Sequence, residues 1–337
     1  MKTLLATYEY PPDLGGVAAY LGGLFGAIPE ARVVRFRLPK LPLGWLWHLP
    51  KLWLAARKAD AVVVSHLLPL GTAAMLLGKP YAVIVHGLDL RSAASHPRKK
   101  RLAARVLKGA KLVAANSRAT AAELAAFGFD PSAALVLTPA VDTDLERETL
   151  DLGVEGEKIL LSVGRFVPRK GFDRLIRLLP ELRKACGDVT LVLAGAGAEE
   201  DRLRNEAVLS GVDAHVKFVI APERGTVASL YRAADVFALA VRASKDDVEG
   251  FGIVLLEAAL FGLPVVSTRA GGVPEAVEHG VTGLLVDPDS ESELFEALKG
   301  LLNDPAAAKR LGDAGRARVL RDFAWETRAQ AFMKRLA

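Results

Sequence analysis

Short apolar runs rich in β-branched residues alternate with longer segments rich in alanine and leucine along almost the whole chain. The short runs have the length and composition of strands, and the longer segments repeat apolar residues at helical spacing. Strands that alternate with helices in this way build parallel sheets from βαβ units. The pattern therefore predicts an α/β protein.

The alternation occurs in two series that are separated by a charged, weakly periodic stretch. The first series predicts strands at residues 3–8, 32–38, 61–65, 82–86, 112–116 and 135–138. The second predicts strands at residues 158–163, 190–194, 216–219, 236–239, 264–267 and 283–286. Residues 139–157 form the predicted linker, with the boundary near residue 150. We therefore expect two doubly wound, Rossmann-like domains at 1–150 and 151–322, followed by an amphipathic helix at about 323–337.

Length and composition agree with a two-domain protein in a reducing compartment. A chain of 337 residues is about twice the usual length of one domain. Its one cysteine, Cys186, cannot form an intramolecular disulfide, which suits the cytoplasm. The uncharged run at 61–78 approaches spanning length, but the Pro69 and Gly71 within it favour a strand, a loop and a helix.

Charge is divided unequally between the two halves. Residues 1–150 contain 19 Lys and Arg but only 11 Asp and Glu. The whole chain has a formal charge of +5, so the second half is slightly negative. The first half thus presents a strongly positive surface, which suits an anionic partner.

Residues 249–257 read Glu-Gly-Phe-Gly-Ile-Val-Leu-Leu-Glu at the start of a predicted helix. The backbone N–H groups and the helix dipole there can face an anion. Eight positions separate Glu249 from Glu257, which is roughly 12 Å along a helix axis. That distance matches the reach from a sugar hydroxyl, across a diphosphate, to a ribose. The alternative is that one Glu lies on the surface and the other caps a helix, which would produce the same sequence.

A basic loop follows the first strand of the second series. Residues 162–172 contain Arg165 and Lys170, five positions apart. Two cations in a loop between a strand and a helix can bind a diphosphate and stabilise it as a leaving group. Taken alone, the loop could equally be a solvated basic surface.

Two features of the first half lie where ligands bind to doubly wound sheets. Gly15 and Gly16 join the first predicted strand to a helix, and paired glycines there allow close approach of the backbone to a diphosphate. His86 ends a predicted strand at the carboxyl edge of the sheet. The alternatives are an ordinary turn and a structural histidine.

The ordered set of motifs resembles a known family. The Glu249-x7-Glu257 motif, followed by residues 262–267, 271–275 and 279–286, is similar to the retaining GT-B glycosyltransferases of glycosyltransferase family 4. The resemblance implies two Rossmann-like domains that face each other across a cleft, with the last helix packed back on the first domain. It also implies transfer of a sugar from a nucleoside-diphosphate sugar to an acceptor hydroxyl, without a metal or other cofactor.

The resemblance assigns roles to individual residues. Glu257 would accept hydrogen bonds from the ribose hydroxyls, and Glu249 and His86 would line the donor-sugar pocket. Arg165 and Lys170 would stabilise the leaving diphosphate during a front-face displacement that retains the anomeric configuration. The implied donor-binding backbone comprises Gly15, Gly16, Gly164, Gly250, Phe251, Gly252 and Ile253.

A second pattern in the first half concerns the acceptor. Residues 42–58 hold three of the four tryptophans beside basic residues, and a cationic helix begins near residue 98. This helix carries Arg98, Lys99, Lys100, Arg101, Arg105, Lys108 and Lys111. Aromatic groups beside such cations suit an anionic bilayer. We expect a lipid or lipid-linked acceptor at the cytoplasmic face of the inner membrane; the alternative is that the tryptophans pack inside the domain.

Other classes of function fit less well. Residues 195–197 resemble the start of a dinucleotide fingerprint, but Glu200 stands where a third small residue is needed, which argues against an oxidoreductase. The chain lacks a nucleic-acid recognition motif, so we expect no nucleic-acid partner. A nucleotide-sugar epimerase with the same fold and a non-catalytic nucleotide-sugar-binding protein remain as alternatives.

Overall fold

The computed structural model of the chain describes residues 1–13, 15–37, 44–147, 158–243 and 247–337. The chain forms two compact units, Met1–Ala140 with Trp325–Ala337 and Val141–Ala324. Each unit contains one six-stranded parallel sheet.

Twelve short strands are described; most are buried, and the residues of β2, β6 and β9 are largely half-buried or exposed. They are β1 (Thr3–Thr7), β2 (Arg32–Arg35), β3 (Ala61–Val64), β4 (Tyr81–Val85), β5 (Leu112–Ala115), β6 (Leu135–Val136), β7 (Lys158–Val163), β8 (Val189–Gly195), β9 (Val216–Ile220), β10 (Val236–Leu239), β11 (Val265–Thr268) and β12 (Gly283–Val286). Every strand that the sequence predicts is present, with ends shifted by a few residues at most.

Fourteen α-helices are described in the same residues. They are α1 (Gly16–Gly26), α2 (His48–Ala56), α3 (Leu70–Met75), α4 (Leu88–Ala94), α5 (Pro97–Gly109), α6 (Arg118–Glu123), α7 (Phe172–Cys186), α8 (Glu200–Leu209), α9 (Arg224–Ala233), α10 (Ile253–Leu260), α11 (Val273–Ala276), α12 (Glu291–Asn303), α13 (Pro305–Asp322) and α14 (Trp325–Leu336). The cationic helix α5 ends at Gly109, so Lys111 lies beyond it.

Strand order defines one special point in each sheet. The first sheet has the order β2-β1-β3-β4-β5-β6, and the second has the order β12-β11-β10-β7-β8-β9. The direction of winding reverses between β1 and β3 and between β7 and β10. Ligands of doubly wound sheets bind beyond the carboxyl ends of the strands at such switch points.

The division between the units falls between Ala140 and Val141, earlier than the predicted boundary near residue 150. Residues 148–157 of the predicted linker lie outside the described residues. The Val141 N–H donates to the carbonyl of Phe323 at 3.2 Å, and Asp142 pairs with Arg224 at 2.8 Å. These contacts hold the start of the segment within the second unit.

The last helix belongs to the first unit. The Trp325 ring on α14 lies 5.5 Å from the Tyr20 ring, and Phe332 lies 6.2 Å from Phe25. Gly23 on α1 allows this approach, because a Cβ atom at that position would lie only 2.1 Å from Trp325 Cε2. The packing of α14 on α1 therefore requires a residue without a side chain at position 23.

We expect Gly23→Ala to destabilise the first unit by about 1–3 kcal/mol, because the new methyl group displaces Trp325. Gly26→Ala on the same helix is the matched control, since an added Cβ there meets no atom within 4 Å. Thermal unfolding of both variants measures the difference. Equal melting temperatures for the two variants would contradict this account of the packing.

Candidate active site

A buried ion pair spans the switch point of the second sheet. Lys170 lies in the loop after β7, and Glu249 lies in the loop after β10. Lys170 Nζ is 2.7 Å from Glu249 Oε2, and both side chains are less than a tenth exposed. Buried charges persist when they are paired, so this pair is fixed in place.

A second cation reaches the same carboxylate. Arg169 Nε is 3.2 Å from Glu249 Oε2, and its Nη1 pairs with Asp247 at 3.0 Å. Burial raises the pKa of the Glu249 carboxyl group, but the Lys170 and Arg169 cations outweigh burial and hold that pKa below its ordinary value. Glu249 is therefore an anion that orients two cations. Sequence reasoning missed Arg169, whose only signal is its position beside Lys170.

The glycines of the Glu motif shape the backbone around this pair. Gly252 precedes α10 with φ of +89°, a conformation that favours glycine and turns the chain directly into the helix. The Gly272 N–H donates to the Glu249 carbonyl at 3.0 Å. The second glycine-rich motif, at 271–275, thus holds the Glu249 loop from outside. Ile253 is the first residue of α10, so its N–H lies at the positive end of the helix.

Glu257 lies on α10, where Tyr231 of α9 fixes its carboxylate. The Tyr231 hydroxyl donates to Glu257 Oε2 at 2.9 Å. Burial raises the pKa of the Glu257 carboxyl group, and the hydrogen bond from Tyr231 offsets part of that rise. Nothing in the sequence pattern pointed to Tyr231, because it reads as an ordinary core residue of an amphipathic helix.

The structure does not bring every predicted residue into the cluster. Arg165 is exposed, and it forms no ion pair with another described residue. Gly164 lies against the Lys170 side chain, since a Cβ there would be 3.5 Å from Lys170 Cε. The Phe251 side chain is 2% exposed and packs in the core, so only its backbone is available to a ligand. Gly250 precedes it in the same loop.

A second charge network holds the Lys170 loop. Asp173, at the start of α7, accepts hydrogen bonds from Arg242 at 2.7 and 2.6 Å and from Arg177 at 3.0 Å. Arg242 also donates to the Pro168 carbonyl at 2.8 Å, two residues before Lys170. Burial raises the pKa of Asp173, but the hydrogen bonds from Arg242 and Arg177 outweigh it and lower the pKa to about 2. Asp173 is thus a buried anchor for the loop.

We expect Asp173→Asn to lower the free energy of unfolding by about 1–3 kcal/mol at neutral pH, since the arginines lose a charged acceptor. The pKa of Asp173 is lower in the folded state than in the unfolded state. The carboxylate therefore stabilises the protein at pH values above the pKa that Asp173 has in the unfolded chain. This contribution disappears as the pH falls towards 2. Denaturant unfolding measures the free energy of unfolding of the wild type and of Asp173→Asn. The difference between the two proteins should be large at pH 7 and small near pH 2.5.

Asp188→Asn is the matched control for this measurement. Asp188 pairs with Arg183 at 2.6 Å, but its side chain is 51% exposed. Surface pairs contribute little, so we expect almost no change at either pH. A constant difference between wild type and Asp173→Asn at both pH values would contradict the assignment.

The predicted residues of the first unit lie at the carboxyl edge of its sheet. Gly15 precedes α1 and Gly16 begins it, and an added Cβ on Gly16 would meet no atom within 4 Å. His86 follows β4, half-buried, with its ring 5.3 Å from Tyr20. Burial lowers the pKa of His86 to about 4, so the imidazole is neutral at pH 7. Its buried Nε2 has no hydrogen-bond partner among the described residues.

Further polar groups at this edge were not predicted. Glu9 follows β1 and His66 follows β3, and the two side chains lie 3.7 Å apart. Asp89 accepts from the His86 N–H at 3.0 Å and from the Leu67 N–H at 3.3 Å, which ties the loops after β3 and β4 together. Sequence reasoning missed these residues because it did not establish that β1 and β3 are neighbours.

The described parts of the chain hold neither a cluster of metal ligands nor a membrane-spanning helix. The parts of the chain that the structure describes contain no cluster of three or more His, Cys, Asp and Glu residues able to hold a metal ion. None of the helices in those same parts has the length and apolar character needed to span a bilayer.

Sequence comparison covers both units. Residues 4–145 match the family described as Glycosyltransferase Family 4, and residues 147–318 match the family described as Glycosyl transferases group 1. The GDP-mannose-dependent alpha-(1-6)-phosphatidylinositol monomannoside mannosyltransferase of Mycolicibacterium smegmatis is 33% identical, over 96% of this chain and 95% of the relative. The GDP-mannose-dependent monoacylated alpha-(1-6)-phosphatidylinositol monomannoside mannosyltransferase of Corynebacterium glutamicum is 29% identical, over 96% and 95%.

Structural comparison agrees on the fold. The crystal structure of Anabaena HepE in complex with UDP has a TM-score of 0.83 and 24% identity, over 100% of this chain and 99% of that one. The crystal structure of WaaG, a glycosyltransferase involved in lipopolysaccharide biosynthesis, has a TM-score of 0.75 and 19% identity, over 98% of each chain. The chain has two doubly wound units and the Glu motif, and its relatives match it over almost their whole length. It therefore belongs to glycosyltransferase family 4 and is a glycosyltransferase of the GT-B fold.

Proposed function

We propose that the protein transfers mannose from GDP-mannose to a hydroxyl group of a phosphatidylinositol mannoside, with retention of the anomeric configuration. Full-length relatives with this donor and this class of acceptor in their names support the choice of substrates. The main structural support for the proposed chemistry is the buried Lys170–Glu249 pair beside the start of α10.

The cations of the β7 loop stabilise the leaving group. As the bond between the sugar C1 and the diphosphate breaks, negative charge grows on the diphosphate oxygens. Lys170 is already oriented by Glu249 and shielded from water, so it stabilises that charge with little reorganisation. Arg165 is exposed at the start of the same loop and supplies a second positive charge to the bound diphosphate.

The new bond forms on the face from which the diphosphate leaves. The acceptor hydroxyl attacks C1 and gives its proton to a departing diphosphate oxygen, so the product keeps the configuration of the donor. Glu249 hydrogen-bonds to the sugar hydroxyls. Because Lys170 and Arg165 supply the positive charge, the proposed reaction uses no metal ion and no other cofactor.

Binding and product analysis test this proposal. GDP and GDP-mannose should raise the melting temperature of the wild type more than UDP or ADP, and Lys170→Ala and Glu257→Ala should lose the shift. NMR of the product should then show an α-linked mannose. An inverted product would refute the mechanism, conversion of the donor alone would indicate an epimerase, and binding without transfer would indicate a non-catalytic protein.

The surface of the first unit supports attachment to a membrane that holds the acceptor. Trp47 is 85% exposed and Trp53 is 55% exposed, whereas Trp45 packs against the core. Of these three tryptophans, only Trp45 packs inside the domain, as the alternative expects. Helices α2, α3 and α5 share one hydrophobic core, so the aromatic and cationic groups belong to one helical layer. We propose that this layer binds anionic lipid on the cytoplasmic face of the inner membrane.

Vesicle flotation tests the membrane proposal separately. The wild type should float with vesicles that contain phosphatidylglycerol and remain unbound with phosphatidylcholine alone, and the double variant Trp47→Ala/Trp53→Ala should lose binding. Leu209→Ala is the control, because Leu209 is 84% exposed in the second unit. Absence of flotation at physiological salt would refute the membrane proposal and leave the transferase activity untouched.

A further inference from the structure

The loop after β8 contains two glycines that the proposed reaction does not use. Residues 195–197 read Gly-Ala-Gly, which is also the spacing of the first two glycines in a dinucleotide fingerprint. In that fingerprint the absence of a side chain lets the backbone approach the diphosphate of the ligand. In this chain the same space is filled by another loop of the protein.

The β7 loop occupies the space beside both glycines. A Cβ atom at Gly195 would lie 1.9 Å from the Gly164 carbonyl oxygen, and a Cβ atom at Gly197 would lie 2.4 Å from the Phe166 carbonyl oxygen. Both distances are far shorter than a van der Waals contact, so no side chain fits at either position. The glycines therefore allow one loop to pack closely against another.

Hydrogen bonds join the two loops beyond the ends of their strands. The Gly164 N–H donates to the Ala194 carbonyl at 2.9 Å, and the Phe166 N–H donates to the Ala196 carbonyl at 2.9 Å. The Glu199 N–H in turn donates to the Phe166 carbonyl at 3.2 Å. We call residues 194–199 the β8 clamp, because they hold the β7 loop at both of these positions.

Arg165 lies between the two clamped residues. The Phe166 side chain is fully buried, and its ring lies 5.1 Å from the Phe172 ring, which anchors this side of the loop. The Arg165 side chain is exposed and forms no ion pair with another described residue. Lys170, in contrast, is fixed through its own side chain by Glu249 at 2.7 Å. The position of Arg165 thus depends on its backbone.

We infer that Gly195 and Gly197 are positioning residues, which act through the β8 clamp to place the Arg165 guanidinium against the diphosphate of the donor. The inference rests on the proposed function, because that function assigns the charge-stabilising role to Arg165. A methyl group at position 197 must displace the Phe166 carbonyl by about 1 Å to reach ordinary contact. A displacement of this size is enough to slow a reaction that depends on preorganised charge.

Kinetics of sugar transfer test the role of the clamp. Gly197→Ala should lower kcat by about tenfold to a hundredfold. Gly300→Ala on α12 is the matched control and should keep the wild-type rate, because an added Cβ there meets no atom within 4 Å. The double variant Arg165→Ala/Gly197→Ala should be no slower than Arg165→Ala, since Gly197 acts through Arg165. Losses that multiply in the double variant would indicate general damage and overturn the inference.

Calorimetry with GDP and with guanosine tests the same role without transfer. Gly197→Ala should weaken binding of GDP about tenfold and leave binding of guanosine unchanged, because guanosine has no diphosphate for Arg165 to contact. An equal loss for the two ligands would mean that the loop contacts the nucleoside itself, and would overturn the inference. A wild type that binds GDP but transfers no sugar would refute the proposed function and leave this comparison valid.

Amide hydrogen exchange of the full chain measures the clamp directly. The Phe166 N–H should exchange slowly in the wild type and faster in Gly197→Ala. Rapid exchange of this N–H in the wild type would overturn the inference. If Gly197→Ala does not fold, Phe166→Leu takes its place, because it loosens the same loop without adding an atom to the clamp. It should show the same lack of additivity with Arg165→Ala, and multiplied losses would again overturn the inference.

Discussion

Lys170→Ala should lower the rate of sugar transfer by about two to three orders of magnitude, the cost of removing one preorganised charge from a developing anion. Lys170 is the cation nearest to Glu249, at 2.7 Å, and it is held in a buried position. Its loss removes the charge that stabilises the diphosphate and leaves Glu249 with Arg169. We expect kcat to fall more than the KM for the acceptor rises.

Two controls separate this effect from a loss of structure. Lys184→Ala removes an exposed lysine from α7 and should leave the rate unchanged. The double variant Lys170→Ala/Glu249→Gln should be little slower than Lys170→Ala, because the two residues act as a unit and their effects are not additive. A rate for Lys170→Ala within a few fold of the wild type would refute the assigned role.

Glu257→Gln should weaken binding of GDP by about tenfold to a hundredfold, the range expected for hydrogen bonds to a charged group. The carboxylate is held by the Tyr231 hydroxyl at 2.9 Å, so it is already oriented before the nucleotide binds. The ribose hydroxyls can then donate to its remaining lone pairs. Because this interaction is the same in the ground state and the transition state, KM should change more than kcat.

Isothermal titration calorimetry with GDP measures this prediction directly. Tyr231→Phe should show a smaller loss of affinity, since it removes the orientation of the carboxylate but not the carboxylate itself. Glu296→Gln, at an exposed position on α12, is the control and should bind GDP like the wild type. Unchanged affinity in Glu257→Gln would exclude a contact between this residue and the ribose.

Periodicity predicted the twelve strands because parallel strands buried on both faces leave continuous apolar runs. It could not show which cation of the basic loop turns inward. A short helical turn at Pro168–Lys170 places Lys170 in the interior, and Arg169 also reaches Glu249, while Arg165 remains exposed. The direction of a side chain within such a turn depends on tertiary contacts that local sequence does not encode.

The tryptophan-rich segment illustrates a similar limit. Its composition is equally compatible with a core and with a surface, because Leu52 and Ala56 of α2 already supply the buried face. Only the docked position of α2 shows that Trp47 and Trp53 point outward. The Glu9–His66 pair could not be predicted from the sequence for another reason. The two residues come together only because the strand order places β1 beside β3.

The return of α14 to the first unit also has a consequence for synthesis on the ribosome. Tyr20 and Phe25 emerge before the second unit, but the rings that cover them, on Trp325 and Phe332, emerge only after it. The second unit, which is continuous from Val141 to Ala324, can fold while α1 still lacks its partner. The nascent first unit therefore keeps an uncovered aromatic surface until the second unit and then α14 have emerged.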